Sequence, residues 1–253
     1  MTGNPVRDVM GSQAVRHSVF SRRFAATAAA AAFVATGVGY AIDSPAARTD
    51  APQPSAAPAP APGTEAPPPG PAVHAVTAAD LGDSWRPGCP VGPEGLRRVD
   101  LDYLDPGGDI RRGSLVVARE YVDDVIAIFA ALRQQGYPVS KMQTVDRYPG
   151  AQDELSMRDN NTSAFNCRAM PGGTGWSLHA YGRAIDVNPL VNPYIDDTGD
   201  LQPKTAGRYL DRGLPDPELL TAGSPAVRAF TDRGWRWGGA WRNPVDYQHF
   251  EIG

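Results

Sequence analysis

Between Ser44 and Val73 the chain carries ten of its 25 prolines, separated by Ala, Gly and Ser, with almost no large apolar residue. A segment of this kind cannot bury enough surface to offset the entropy of ordering it, and proline stiffens it toward an extended form. It divides the 253 residues into three parts of different character. Before it, Met1 to Arg23 is polar with Arg7, Arg16, Arg22 and Arg23, and Phe24 to Ala41 is apolar, alanine-rich and uncharged. A basic region ahead of an apolar core is the layout of an export signal, so residues 1–43 are expected to direct the protein out of the cytoplasm. Ser21-Arg22-Arg23-Phe24 falls one residue short of a twin-arginine pattern, and Gly39-Tyr40-Ala41 offers a small-x-small cleavage site. The apolar run is about as long as the shortest membrane-spanning helices, so the sequence leaves open an uncleaved membrane anchor. Residues 44–73 are expected to be a disordered spacer and residues 74–253 the folded domain.

That domain holds both cysteines, Cys89 and Cys167. In an exported protein such a pair is expected to form a disulfide, here tying the N-terminal arm of the domain to the stretch around Arg168. Two Cys with two His could also make a structural zinc site, the weaker option given the spacing of the acids. The net charge of -4 comes without a basic stripe or interleaved aromatics, so a nucleic-acid partner has no support. No phosphate-cradling glycine loop or internal repeat is visible.

Ser114 to Ala118 reads as a short buried strand. Val122, Val125, Ile126, Phe129 and Leu132 then recur at three and four residues, the apolar face of a helix, which Gly136 and Pro138 end. A second helix is expected from Ser224 as N-cap and Pro225 at the first position to Gly234. Val139 to Val145, Ala164 to Arg168, Ala184 to Val187 and the surroundings of Phe250 are the strand candidates. Helices segregated from a small, mostly antiparallel sheet give an α+β fold.

Of the four histidines, His17 falls in the export segment and His74 at the end of the spacer. His179 and His249 remain, each close to a carboxylate. His179 and Asp186 are seven residues apart with Gly182 between them, where the chain can turn; beyond it Ala184 and Asp186 share one face of a strand. Asp246 and His249 are three apart, a spacing that suits either one helical turn or a short strand. Two imidazoles and one carboxylate are the protein ligands of a catalytic zinc site whose fourth position is left to water. His179, Asp186 and His249 would supply them and leave Asp246 as a base. Separately, each segment has a plainer reading: an imidazole satisfied by a backbone carbonyl, or an Asp that opens the turn at Asn188-Pro189.

Together, Ser177-x-His179-x-x-Gly182-x-Ala184-x-Asp186 and Asp246-x-x-His249 resemble the zinc D-Ala-D-Ala carboxypeptidase and L-alanyl-D-glutamate endopeptidase family, peptidase family M15, over roughly Trp85 to the C-terminus. Asn160-Asn161-Thr162-Ser163-Ala164-Phe165-Asn166-Cys167-Arg168 and Asp186-Val187-Asn188-Pro189 resemble its endopeptidase-like branch. The resemblance implies a DD-peptidase/hedgehog-like fold with a zinc cleft across the sheet, Zn2+ on His179, Asp186 and His249, and Asp246 as the general base where better-known members have Glu. It further implies an Arg that stabilises the oxyanion, with Arg168 the first choice and Arg147 the second, and a hydrogen bond from Ser177 near the substrate. Peptidoglycan stem peptides are the expected substrate and a monomer the expected state. Cleavage of the D-Ala-D-Ala bond and a non-catalytic wall-binding role on the same fold are the alternatives. Trp235, Trp237 and Trp241 are expected in the core, with one able to line a substrate groove.

Overall fold

The computed structural model describes residues 69–170 and 173–253. The expected export segment and the spacer up to residue 68 lie outside the described residues. The fold begins slightly earlier than the spacer's end suggested. Strand β1 spans Ala72–Ala75 and takes His74 into the domain, where its Nε2 lies 2.9 Å from Asp100. The expectation that only His179 and His249 belong to the folded part is corrected accordingly.

After a one-turn helix α1 (Ala78–Leu81) comes β2 (Leu96–Leu104), whose Leu96, Val99, Leu101 and Tyr103 are buried. β3 (Ile110–Ala118) runs further than the expected Ser114 to Ala118 because all nine of its residues pair with β2. The sheet order is β1-β2-β3, antiparallel throughout. Helix α2 (Val122–Gln134) buries Val122, Val125, Ile128, Phe129 and Leu132. Ile128 takes the fully buried place that periodicity assigned to Ile126, which packs at the edge. Gly136 ends the helix region at φ 71°, a conformation glycine adopts without Cβ strain.

The expected strand Val139 to Val145 shrinks to β4 (Lys141–Met142), because at Gln143 the backbone N–H turns to the Asn161 side chain (2.8 Å). Helix α3 (Asp153–Arg158) leads into β5 (Asn161–Thr162), which pairs in parallel with β4. Ala164 to Arg168 forms no strand. Its N–H groups go to different partners, Phe165 to Val116 O, Asn166 to His179 O and Cys167 to Ser84 O, at 2.9–3.3 Å, so no ladder develops. The Cys89–Cys167 disulfide is formed, with Cα atoms 5.9 Å apart. Cys167 sits in a small apolar cluster with Val76, Leu81, Leu96, Val116 and Phe165.

The C-terminal half is built from short strands: β6 (Ala184–Asp186), β7 (Tyr194–Ile195) and β8 (Leu201–Gln202). Helix α4 (Pro225–Thr231) opens as expected, with Ser224 accepting from Val227 N, and closes three residues before Gly234. β9 (Arg236–Trp237), β10 (Val245–Asp246) and β11 (His249–Glu251) follow. Two antiparallel sheets result, β6-β11-β9 and β10-β7-β8. One core joins the β6-β11-β9 sheet to α2 and α4. Phe129 meets Phe230 edge-on, and Phe230 stacks on Phe250 of β11 at 3.8 Å between centroids. The domain is thus α+β, with small antiparallel sheets flanked by few helices. Among the described residues no helix is long and apolar enough to cross a membrane.

Candidate metal centre

His179 lies in a single 3-10 turn, Leu178–Tyr181, capped by Ser177, whose hydroxyl accepts from His179 N. The turn ends at Gly182 in the left-handed conformation (φ 68°). A Cβ there would lie 2.5 Å from Ala118 N, so glycine is required both by the dihedral and by the close approach of β3. From this turn the chain enters β6 directly, and Asp186 comes back toward His179. The partner strand completes the group. In the β6–β11 register His249 stands opposite Asp186, so one antiparallel pairing sets two of the three expected ligands.

His179 Nε2 is 3.1 Å from Asp186 Oδ2, His249 Nδ1 is 3.0 Å from Asp186 Oδ1, and the two ring nitrogens are 3.2 Å apart. All the candidate ligand atoms lie within 4.8 Å of one another. A backbone carbonyl and a carboxylate fix the two imidazoles. His179 Nδ1 donates to Ala164 O at 2.5 Å, which leaves its Nε2 lone pair on the Asp186 side. His249 Nε2 faces Glu251 Oε2 at 3.2 Å, which leaves Nδ1 toward Asp186. With both rings neutral, three lone-pair donors converge and share no proton. That is the donor set of a bound cation, with outer hydrogen bonds of the kind that orient histidine ligands. His, Asp and His are zinc ligands, and the residues present fit that ion.

Without a cation, the carboxylates dominate. Although burial opposes it, hydrogen bonds to Asp186 and Glu251 push His249 up to about 10. Burial acts against Asp186 as well, yet the two imidazoles hold it well below the usual carboxylate range.

Asp246 lies on β10, paired across from Tyr194. Gly238 lets the chain pass, since a Cβ there would fall 2.7 Å from Asp246 O. The tetrad is buried: relative exposures are 3 % for His179, 6 % for Asp186, 7 % for His249 and 9 % for Asp246. Asp246 Oδ1 has no hydrogen-bond partner among the described residues. Burial, reinforced by Asp186 and opposed by His249 and Arg168, pushes its carboxyl up to about 7. A carboxyl that titrates near neutrality suits a group that must accept and return a proton. Asp246 and His249 fall in two different strands of two different sheets, neither on one helical turn nor on one strand.

These groups line a cleft of about 500 Å³. Arg168 lines it too, paired with Asp153 at the start of α3; Asp153 Oδ1 also accepts from Asn166 Nδ2 at 2.6 Å. Arg147 does not belong here. It sits in the 3-10 turn Val145–Arg147 beside Asp80, Arg98 and Arg112, along a separate depression. Ser177 borders the cleft, with its oxygen engaged in capping the His179 turn. Trp235 and Trp237 are in the core, whereas Trp241 lines the cleft with its ring 5.5 Å from that of His249. Glu251 and Asp153 were not anticipated. The signal for Glu251 is its i, i+2 spacing from His249, which on a strand puts both on one face. Asp153 had none, because its partner Arg168 is fifteen residues away on an irregular segment.

A family model described as D-alanyl-D-alanine carboxypeptidase matches residues 171–252, the stretch that carries Ser177 and all four residues of the buried tetrad. No curated protein and no solved structure gives a match. The family match supports a peptidase of the D-Ala-D-Ala carboxypeptidase kind without singling out an endopeptidase-like branch.

Proposed function

We propose that the protein is a zinc-dependent peptidase that hydrolyses peptidoglycan stem peptides outside the cytoplasm. The observation that carries this reading is the convergence of His179, Asp186 and His249, with the unpartnered carboxylate of Asp246 in the same cleft. His179 Nε2, Asp186 and His249 Nδ1 would hold the ion. When bound, zinc polarises a scissile carbonyl and lowers the pKa of water at its open position toward neutrality. Asp246 accepts the proton of the attacking water and delivers it to the leaving amine. The C–N bond breaks, the amine leaves with that proton, and the water oxygen enters the new carboxyl group, whose remaining proton passes to solvent or to the released amine. Arg168, oriented by Asp153, faces the charge that develops on the carbonyl oxygen, where a fixed donor is worth most. Ser177 supports the reaction through the turn that carries His179.

The disulfide and the cell-wall peptidase family favour an extracytoplasmic setting, in keeping with an N-terminal segment that exports the protein or anchors it. From there the proline-rich spacer would give the domain reach into the wall. Digestion of purified sacculi, with the fragments identified by mass spectrometry, tests the proposal. The zinc-loaded protein should release stem-peptide fragments, and Asp246→Asn should keep its zinc while turnover falls about 100-fold or more. Undigested sacculi with full zinc occupancy would instead assign the protein to wall binding without catalysis.

A further inference from the structure

Strand β7 brings Tyr194 directly opposite Asp246 of β10. Residues opposed in an antiparallel pair project from the same face of the sheet, with Cβ atoms about 5 Å apart. The phenol and the carboxyl therefore stand side by side, and both line the cleft that holds His179, Asp186 and His249. Tyr194 is also firmly placed. On its other edge it pairs with Gln202 of β8. Two residues before it the fully buried Asn192 anchors the strand, donating through Nδ2 to Val187 O at 3.3 Å and to Glu218 O at 2.9 Å. Pro193 O accepts from Tyr247 N at 3.2 Å, which ties β7 to the bend that follows Asp246.

The half-buried ring keeps its proton. Burial, Asp246, Asp196 and Asp197 push the phenol above its ordinary value, and Arg168 opposes them. A protonated phenol is a hydrogen-bond donor, and two groups of the proposed reaction, Asp246 and Arg168, lie within its electrostatic reach. As the attacking water adds, negative charge builds on the carbonyl oxygen, and a donor already held in place stabilises that charge without the cost of reorganising. Arg168 supplies one such donor while also pairing with Asp153. We propose that Tyr194 is a further catalytic residue, whose hydroxyl donates a hydrogen bond to the oxygen of the scissile carbonyl as charge develops there, alongside Arg168. The phenol keeps its O–H bond throughout, so the proton that Asp246 takes from water still goes to the leaving amine. The inference rests on the peptidase reading and adds to it a residue that touches the reacting atoms.

Tyr194→Phe removes the hydroxyl and keeps the ring. The probe is a set of soluble muropeptides, released from sacculi by a muramidase and carrying the stem peptide. With the zinc-loaded protein, kcat and kcat/KM should fall together by about 100-fold, the lower end for loss of one donor to a developing oxyanion. KM should stay within about threefold, the mark of an interaction made only in the transition state. Zinc content and Tm should match those of the native protein. A second measurement reads binding without turnover: in an Asp246→Asn background, the Kd for the same muropeptides should be equal with Tyr or Phe at position 194. Turnover of Tyr194→Phe within about threefold of native, or a Kd weakened in step with kcat/KM, would overturn the inference and leave the peptidase reading standing. Loss of zinc from Tyr194→Phe would overturn it too, making the residue a support of the metal instead. If the native zinc-loaded protein cuts neither muropeptides nor sacculi, the peptidase reading fails and this inference with it.

Discussion

Replacing Cys89 and Cys167 together by alanine removes a cross-link that closes a loop of 78 residues. In the chain-entropy description, freeing a loop of that length gives the unfolded state about 15 cal/mol/K, or about 4.5 kcal/mol at 25 °C. From β1 to the C-terminus the fold comprises about 180 residues. At roughly 2.1 cal/mol/K of unfolding entropy per residue, that loss corresponds to a Tm lowered by about 12 °C. The metal centre should not follow it. Cys167 N still bonds Ser84 O, and Cys167 O still accepts from Arg86 at 2.6 Å, so the stretch leading to Arg168 stays placed below the new Tm. Differential scanning calorimetry of the oxidised protein and the double variant, with zinc measured on both, checks the two halves together. A Tm difference under about 2 °C, or two alkylatable thiols in the purified, unreduced protein, would refute the reasoning.

Glu251→Gln removes the charge behind His249 and should weaken zinc binding about tenfold, the lower end for loss of such an outer partner, as read by competition with a chelator; an unchanged Kd would deny Glu251 that role. The metal-free protein should lose stability as pH rises. The folded pKa of His249 is raised to about 10, so its contribution is complete below the ordinary imidazole value near 6.5 and disappears as pH climbs through 10. Asp246, raised to about 7 by burial, adds to the decline between its ordinary value near 4 and 7. A metal-free Tm that rises between pH 5 and pH 9 would contradict both shifts.

The parts of this molecule that could be read from sequence are those whose chemistry is local. Helix α2 declared itself through its apolar spacing, and α4 through Ser224-Pro225. The His179 and Asp186 half of the candidate metal group was legible because Gly182 and the alternation through Ala184 to Asp186 carry its geometry within eight residues, whereas His249 joins it through the β6–β11 pairing. What the sequence hid depends on pairing between distant segments. β2 does alternate, Val99, Leu101 and Tyr103 inward between Asp100 and Asp102, yet its two arginines and two aspartates mask the apolar signal. Ala164 to Arg168 has strand-like composition but meets three different neighbours, so composition could not place it. Asp246 and His249 reach one cleft through two strands and a bend between them, a solution that the spacing of three residues could not choose over a helical turn. Arg168 and Arg147 were separated only when the structure put one in the cleft and the other beside Arg98 and Arg112.

In the proposed reading His179, Asp186 and His249 hold one zinc ion. Elemental analysis of the purified, dialysed protein, paired with His249→Ala, tests it most directly. One zinc per chain is expected in the native protein, and loss of most of it in the variant while the circular dichroism spectrum of the fold persists. Full zinc occupancy in a folded His249→Ala protein would contradict it.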